Sequence, residues 1–170
     1  MNVPRRLAAL CALGASFGAA AQIAVSVNDN KVVLDNGVPK VVANAPPNTV
    51  AIIDMKTLPP RLLDEIELPG SGVGRSSSVA VAPDESLALV SDNRLSVIDL
   101  TMRPPRVVTT LATGTSPAGV AINRAGTMAL VANRGDCTVS VFGIAGKTVT
   151  PTGTVSLGGA PNCGASHVAI

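Results

Sequence analysis

Short apolar runs, separated by turn-forming residues, recur along this chain at a spacing of 41 to 45 positions. Residues 54–63, DMKTLPPRLL, return at 99–108 as DLTMRPPRVV. The apolar runs 79–81, 87–90 and 96–98 return at 120–122, 128–131 and 140–142. Runs this short, rich in Val, Ile, Leu and Thr and bounded by Gly, Pro, Asn and Asp, predict β-strands. No stretch after residue 21 has helical periodicity, so we predict an all-β chain.

Each repeat is predicted to contain four strands, and a period in the low forties with several strands per unit is typical of a β-propeller blade. Two units are complete: their strands are predicted at 78–82, 87–91, 95–100 and 107–112, and at 119–123, 128–132, 138–144 and 148–157. Upstream, 23–27, 50–55 and 62–68 supply the second, third and fourth strands of a unit without a first strand, and 166–170 matches another opening strand. We therefore predict a partial β-propeller of about three four-stranded antiparallel blades.

Turn-forming residues fill the gaps between the predicted strands. Inside the insertion 28–48, Asp35-Asn36-Gly37 lies between two Val-rich runs and predicts a small extra hairpin. Pro83-Asp84-Glu85 predicts the turn between the first two strands of one unit. Arg124-Ala125-Gly126 has the same place in the next unit, where Gly126 can adopt a positive φ.

Residues 1–21 have the three parts of a secretory signal peptide: Arg5 and Arg6, an apolar run at 7–18, and Ala19-Ala20-Ala21 at the cleavage position. We predict a mature β-propeller repeat domain over residues 22–170, in the periplasm or outside the cell. The alternative is an uncleaved N-terminal anchor. A membrane span needs about 20 apolar residues, and the apolar run of the leader is shorter, so we predict no membrane span.

Composition narrows the range of partners. Thirteen Lys and Arg residues, less the two in the predicted leader, leave 11 basic against 11 acidic side chains, so the mature domain has no net charge. Phe142 is its only aromatic residue, because Trp and Tyr are absent. Nucleic-acid binding normally uses a basic surface and exposed aromatic rings, so we predict no nucleic-acid partner.

The complete units share a pattern in which a Val-containing strand ends in Asp or Asn, a polar turn follows, and a second Val-rich strand comes next. It reads Leu89-Val90-Ser91-Asp92 with Leu95-Ser96-Val97-Ile98-Asp99, and Leu130-Val131-Ala132-Asn133 with Thr138-Val139-Ser140-Val141-Phe142. With this pattern, residues 23–170 resemble the YVTN family of β-propeller repeats in exported bacterial proteins, although Leu replaces that family's Tyr in both copies. The resemblance implies a propeller fold, and members range from binding scaffolds to relatives of propeller lactonases.

His167 is the only histidine of the chain and is the candidate catalytic residue. The opening strand of a propeller blade lines the central channel, where propeller enzymes place acid–base groups, and the resembling lactonases carry a His near the start of such strands. A general base or a ligand is therefore one interpretation. The favoured alternative is a polar residue at a strand entrance, because no Glu or Asp lies beside His167 to complete a catalytic or metal-binding set.

Cys137 and Cys163 are the cysteines that remain after removal of the leader, and an oxidising compartment favours disulfides. If the strands alternate in direction, the two cysteines lie at the same end of the sheets, so a disulfide is one interpretation and two separate thiols the other. Two Cys and a distant His lack the spacing of a metal site. We predict no metal.

Three other motifs have structural explanations. Asn28-Asp29-Asn30 and Asp35-Asn36 offer the oxygens that calcium prefers but lack the Gly and closing Glu of a calcium loop. Gly70-Ser71-Gly72-Val73-Gly74 precedes no helix, so a blade connection fits better than a phosphate loop, and we predict no cofactor. Arg61 and Arg106 recur at equivalent positions, which indicates a structural role.

These observations leave three classes of function open. The first is an exported, non-catalytic binding or scaffold module for a protein or small-molecule ligand. The second is a lactonase-like hydrolase with a site at the central channel. The third is a truncated propeller whose open blade edges favour self-association. A ring takes about four to eight blades, so three units suggest either truncation, closure of the first unit by the final strand, or two chains that share one ring.

Overall fold

The computed structural model describes residues 22–68, 78–159 and 163–170. The predicted signal peptide at 1–21 and the glycine-rich connection at 70–74 lie outside the described residues. Thirteen strands are present in the described ranges: β1 (Ile23–Asn28), β2 (Val32–Asp35), β3 (Val38–Val41), β4 (Thr49–Asp54), β5 (Arg61–Glu67), β6 (Ser78–Val81), β7 (Leu87–Asp92), β8 (Arg94–Asp99), β9 (Arg106–Leu111), β10 (Pro117–Ile122), β11 (Met128–Asn133), β12 (Thr138–Ala145) and β13 (Thr148–Ser156). No helix in this part of the chain is long and apolar enough to cross a membrane.

Eleven of these strands form three antiparallel sheets of one repeating design, which we call blades. Blade 1 has the order β1-β4-β5, blade 2 the order β6-β7-β8-β9, and blade 3 the order β10-β11-β12-β13. Neighbours in each sheet are antiparallel, as in β7 and β8, where Leu87 pairs with Asp99 and Asp92 with Arg94. The all-β class and the four-stranded unit are confirmed, and among the described residues blade 1 has no first strand, as predicted.

The insertion in blade 1 forms the predicted hairpin. β2 and β3 pair across Asn36 and Gly37, which have φ values of 49° and 81°. Two consecutive residues with positive φ define the type I′ turn that best fits the twist of a two-residue hairpin. Gly126 also has the expected positive φ, of 69°, and the residue between β6 and β7 that adopts this conformation is Glu85, with φ 57°.

The predicted opening strand at 166–170 is wrong as a strand. Residues 163–170 form no ladder with the other described residues. The free second strand of blade 1, β1, pairs with β4 and not with this segment. The segment nevertheless lies against the innermost strand of blade 3, because a Cβ atom on Gly119 would come within 2.7 Å of the Ser166 carbonyl oxygen.

Two apolar clusters hold the three blades together. Between blades 2 and 3, Leu89 and Val97 pack with Val131 and Phe142. Between blades 1 and 2, Val90 and Ile98 pack with Ile52. Both clusters draw on β7, and every residue of this strand is buried, because consecutive side chains of a strand point to opposite faces. Blade 2 therefore has both of its faces covered.

One ion pair crosses the interface between blades 2 and 3. Lys147, in the turn between β12 and β13, donates to Asp99 at the end of β8 over 2.9 Å. Asp99 also accepts hydrogen bonds from the amide and hydroxyl of Thr101. Burial raises the pKa of Asp99, but the hydrogen bonds from Lys147 and Thr101 outweigh burial and lower the pKa to about 2.

Because the folded-state pKa of Asp99 lies below its ordinary value of 3.8, its contribution to stability is present above pH 3.8 and is lost as the pH falls toward 2. Lys147 is 45% exposed, so the pair contributes no more than about 1 kcal/mol. We predict that Lys147→Met lowers the free energy of unfolding at neutral pH by that amount and makes its decline in acid shallower. Urea unfolding followed by circular dichroism measures both effects.

Lys40→Met is the matched control, because Lys40 pairs with Asp35 in the exposed hairpin. It should leave the acid profile unchanged. An acid profile of Lys147→Met identical to that of the parent protein would contradict the role of the pair.

Candidate functional site

The candidate site is at the end of the blades where second strands turn into third strands. We call it the loop end. It contains the turn between β7 and β8, the turn at residues 134–137 between β11 and β12, and the connection at 112–116 between β9 and β10. The insertion 29–48 and residues 163–167 reach the same end, through Asn48 and Cys163. The segments that sequence analysis linked to function therefore converge on one end of the sheets.

A buried polar side chain closes the second strand at the loop end in blades 2 and 3. Asp92 is 5% exposed at the end of β7, and Asn133 is fully buried at the end of β11. The Asn133 amide donates to the hydroxyls of Thr138 and Ser140, each at 2.9 Å, and so joins β11 to β12 across their turn. Its Oδ1 atom is buried without a hydrogen-bond partner among the described residues. A buried polar atom of this kind is costly and normally has a reason.

Asn48 connects blade 1 to blade 2 at this end. Its side-chain amide donates to Asp92 Oδ2 over 3.2 Å, and both residues are buried. Its backbone carbonyl accepts from the Leu68 amide, and its Oδ1 accepts from the Asn30 amide. A hydrogen bond to a buried carboxylate is stronger than one between neutral groups. The insertion is therefore anchored to the neighbouring blade.

Asp136 organises the loop end of blade 3. One carboxylate oxygen accepts from the Thr115 amide over 2.7 Å, and the other accepts from the Thr138 hydroxyl over 2.7 Å. The hydrogen bond from the Thr115 backbone is the largest cause of a lowered pKa for Asp136. Because the charged form is favoured, the Thr115 bond holds the connection 112–116 against the turn 134–137 at neutral pH, and the Thr138 bond orients the Asp136 carboxylate.

Cys137 and Cys163 are joined by a disulfide, with their Cα atoms 5.6 Å apart. Cys137 is buried directly before β12, and its Sγ atom also accepts a hydrogen bond from the Cys163 amide over 2.9 Å. The bond ties the segment that begins at residue 163 to blade 3.

His167 is exposed, and its Nδ1 atom lies 3.2 Å from the hydroxyl of the adjacent Ser166. A Cβ atom on Gly119 would come within 2.8 Å of the His167 Cα atom, so this segment runs along the innermost strand of blade 3. Within the described ranges, the imidazole forms no hydrogen bond or ion pair with a carboxylate. Those ranges also contain no group of three or more His, Cys, Asp or Glu residues that could hold a metal ion.

The other candidate residues make contacts close to their own positions in the chain or within the same blade. Asp29 accepts from the Lys31 amide, and Asn30 donates to the Pro47 carbonyl. Arg61 pairs with Asp54 over 3.3 Å, whereas Arg106 donates to the Met102 sulfur. The sequence pattern indicates Asp92 and Asn133 only as polar residues that recur at the end of a predicted strand. Their equivalent positions directly after apolar runs were the available signal, but a polar residue at a strand end normally indicates a turn.

No protein-family model and no curated protein sequence matches this chain. Solved structures with a similar fold include the periplasmic gluconolactonase of Pseudomonas aeruginosa, with a TM-score of 0.53 and 20% identity over 65% of this chain and 34% of that one. A putative 6-phosphogluconolactonase from Bacteroides fragilis has a TM-score of 0.50 and 18% identity, over 86% of this chain and 57% of that one. Another from Bacteroides uniformis has a TM-score of 0.52 and 12% identity, over 79% and 54%.

Each of these structures is a longer chain, and the present chain spans less than two thirds of its length. At identities of 12 to 20% the likeness concerns the fold. It identifies the three sheets as blades of the propeller fold. Membership of the YVTN family stays a prediction.

The disulfide generates a prediction about stability. It closes a separation of 26 residues, and the loop entropy of such a crosslink corresponds to about 3 kcal/mol. We expect Cys137→Ser combined with Cys163→Ser to lower the free energy of unfolding by about this amount. Circular dichroism is the suitable probe, because the chain has no Trp or Tyr. A reducing agent should destabilise the parent protein but not the double variant. Equal urea midpoints for the oxidised and reduced parent would contradict the prediction.

Proposed function

We propose that residues 22–170 form an exported propeller repeat module that acts as a binding scaffold, with the loop end as its binding face. The observation that carries the proposal is the fixed geometry of this end. The Asn48–Asp92 bond, the hydrogen bonds of Asp136 and the disulfide at Cys137 all hold connecting segments in place. A surface of loops held in one arrangement loses little conformational entropy on binding.

Export is part of the same proposal. We propose residues 1–21 as a cleaved leader and residues 22–170 as one mature repeat domain in the periplasm or outside the cell. The Cys137–Cys163 bond supports this location, because disulfides persist in oxidising compartments. One of the similar structures is described as periplasmic, which is consistent with an exported chain.

The open sheet faces supply a second surface for a partner. On the outward face of blade 3, Met128 is 40% exposed and Val155 is 53% exposed. These residues share that face with Leu130 and Val141, which pair directly across β11 and β12. Apolar surface of this kind normally lies in an interface. Self-association of the chain through such faces stays a prediction.

The proposal predicts that partners contact the loop end. Arg134 lies in the turn between β11 and β12, and Arg124 lies in the turn at the opposite end of β11; both are exposed. A photo-crosslinking amino acid placed at Arg134 in the native host should form a discrete adduct. The same amino acid at Arg124 is the matched control and should form none. Equal adducts at both positions, or none at Arg134, would contradict a binding face at the loop end.

A lactonase-like hydrolase is the second candidate. It is supported by the location of His167 alongside the inner strand of blade 3, next to Gly119, and by the contact between its imidazole and the Ser166 hydroxyl. Two of the similar structures are described as putative 6-phosphogluconolactonases and another as a gluconolactonase. In this candidate His167 is the general base that activates water for attack on a lactone carbonyl.

A lactone assay separates the two candidates. For the scaffold, we expect glucono-lactone to hydrolyse at its spontaneous rate in the presence of the purified protein. Hydrolysis above that rate, lost in His167→Ala and retained in Arg124→Gln, would favour the hydrolase. Hydrolysis that is unchanged in His167→Ala would exclude His167 from the reaction.

A further inference from the structure

The end of the blades opposite the loop end contains a slot that recurs between neighbouring blades. In the slot between blades 2 and 3, Lys147 comes from the turn between the third and fourth strands of blade 3. It reaches back to blade 2, where it donates to Asp99 and to the hydroxyl of Thr101. A cation thus meets two acceptors, and this slot is closed by an ion pair.

The repeat places different residues in the slot between blades 1 and 2. The pairing of the third and fourth strands shows which residues are equivalent in the two blades. Asp99 pairs with Arg106 in blade 2, and Gly143 pairs with Thr150 in blade 3, so equivalent residues are 44 positions apart. Arg103 is therefore the counterpart of Lys147. In the repeated segments 54–63 and 99–108, Asp54 is the counterpart of Asp99, and Lys56 is the counterpart of Thr101.

This second slot is open. It forms a cleft of about 400 Å³ whose lining includes Asp54, Lys56, Arg61 and Arg103. Asp54 is paired with Arg61 of its own blade, at 3.3 Å. Asp54, the counterpart of the carboxylate that pairs with Lys147, is therefore already paired with Arg61. Lys56, a cation, replaces the hydroxyl acceptor Thr101.

The charges in the cleft favour a bound anion. Among the described residues, Lys56 and Arg103 take part in no ion pair. Arg103 Nη1 donates to the carbonyls of Leu100 and Met102, each at 2.7 Å, and these bonds hold the guanidinium at the rim of the cleft. They use only one of its three nitrogens, so the other two can donate to a ligand. Asp64 is the other acid in the lining, and it accepts from the Glu65 amide. The lining contains three basic side chains and two acidic ones, so its formal net charge is +1.

The walls of the cleft are suited to an organic anion rather than to an inorganic ion alone. Leu63 and Ile23 come from blade 1, whereas Pro104 and Pro105 come from blade 2. Small-molecule sites typically combine such apolar walls with a few polar groups in a volume of about 300 to 1,000 Å³. The cleft has both features.

We propose that the cleft between blades 1 and 2 binds a small organic anion, a carboxylate or a phosphate monoester. Its acid group lies between Lys56 and Arg103, and its apolar part packs against Leu63 and the two prolines. The bound anion takes the place that the acceptors of Lys147 have in the neighbouring slot. This site lies at the end opposite the loop end and does not depend on the function proposed for that end.

Phenyl phosphate is the probe for the test, titrated into the purified protein by isothermal calorimetry or by NMR. We expect saturable binding at one site per chain. Lys56→Thr introduces the residue of the closed slot, and Arg103→Gln removes the other cation. Each should weaken binding by about tenfold or more, the usual effect of losing a hydrogen bond to a charged group.

Arg124→Gln is the matched control, because Arg124 is exposed in the turn between β10 and β11, outside the cleft, and it should bind as the parent does. Benzamide, a neutral ring of similar size, should not bind. The proposal is overturned by the absence of saturable binding, by equal affinity for benzamide, or by undiminished affinity in Lys56→Thr. Lys56 is exposed and forms no ion pair among the described residues, so Lys56→Thr gives the decisive result even if Arg103→Gln does not fold.

Discussion

The burial of both faces of blade 2 is the constraint from which the remaining structure follows. On β7, Leu87 and Leu89 face blade 3 whereas Ala88 and Val90 face blade 1, and all four are fully buried. Burying a Leu or Val side chain stabilises a fold by about 1.5 to 3 kcal/mol. Because β7 contributes to both clusters, neither interface between blades can be lost without exposing one of its faces. The clusters are nearly all aliphatic, with Phe142 as their only aromatic member.

The two ends of the stacked blades are held by different kinds of contact. At the loop end, polar side chains complete the second strands, and the Asn48–Asp92 bond and the disulfide fasten the connections. At the opposite end, contacts between blades depend on the turn between the third and fourth strands. One such turn reaches the preceding blade through Lys147, whereas the other leaves a cleft beside Arg103. The same fold thus presents a fixed surface at one end and a cavity at the other.

Much of the fold could be predicted from the sequence, because apolar runs separated by turns determine where strands begin and end. The eight strands predicted for the two complete units agree with β6 to β13 to within two residues at each boundary. The exception is 166–170, where the residues match an opening strand but form no ladder with the other described residues. The local pattern of residues indicates strand propensity, but a strand forms a ladder only where a neighbouring strand is available to pair with it.

The candidate site was less predictable, for the same reason. His167 and the two cysteines could be identified by residue type alone. The importance of Asp92 and Asn133 depends on burial, and the cleft depends on which residue of one blade faces which residue of the next. Neither is local in sequence. The repeat did contain the decisive difference, since Lys56 replaces Thr101 in otherwise similar segments, but its meaning required the geometry of both slots.

Native-state hydrogen exchange tests the central role of blade 2 most directly, because amides open with free energies that reflect the burial around them. The account predicts that the amides of β7 and β8 exchange most slowly, and that those of β5 and β13, whose side chains are largely exposed, exchange faster. Exchange in β7 and β8 as fast as in β5 and β13 would contradict it.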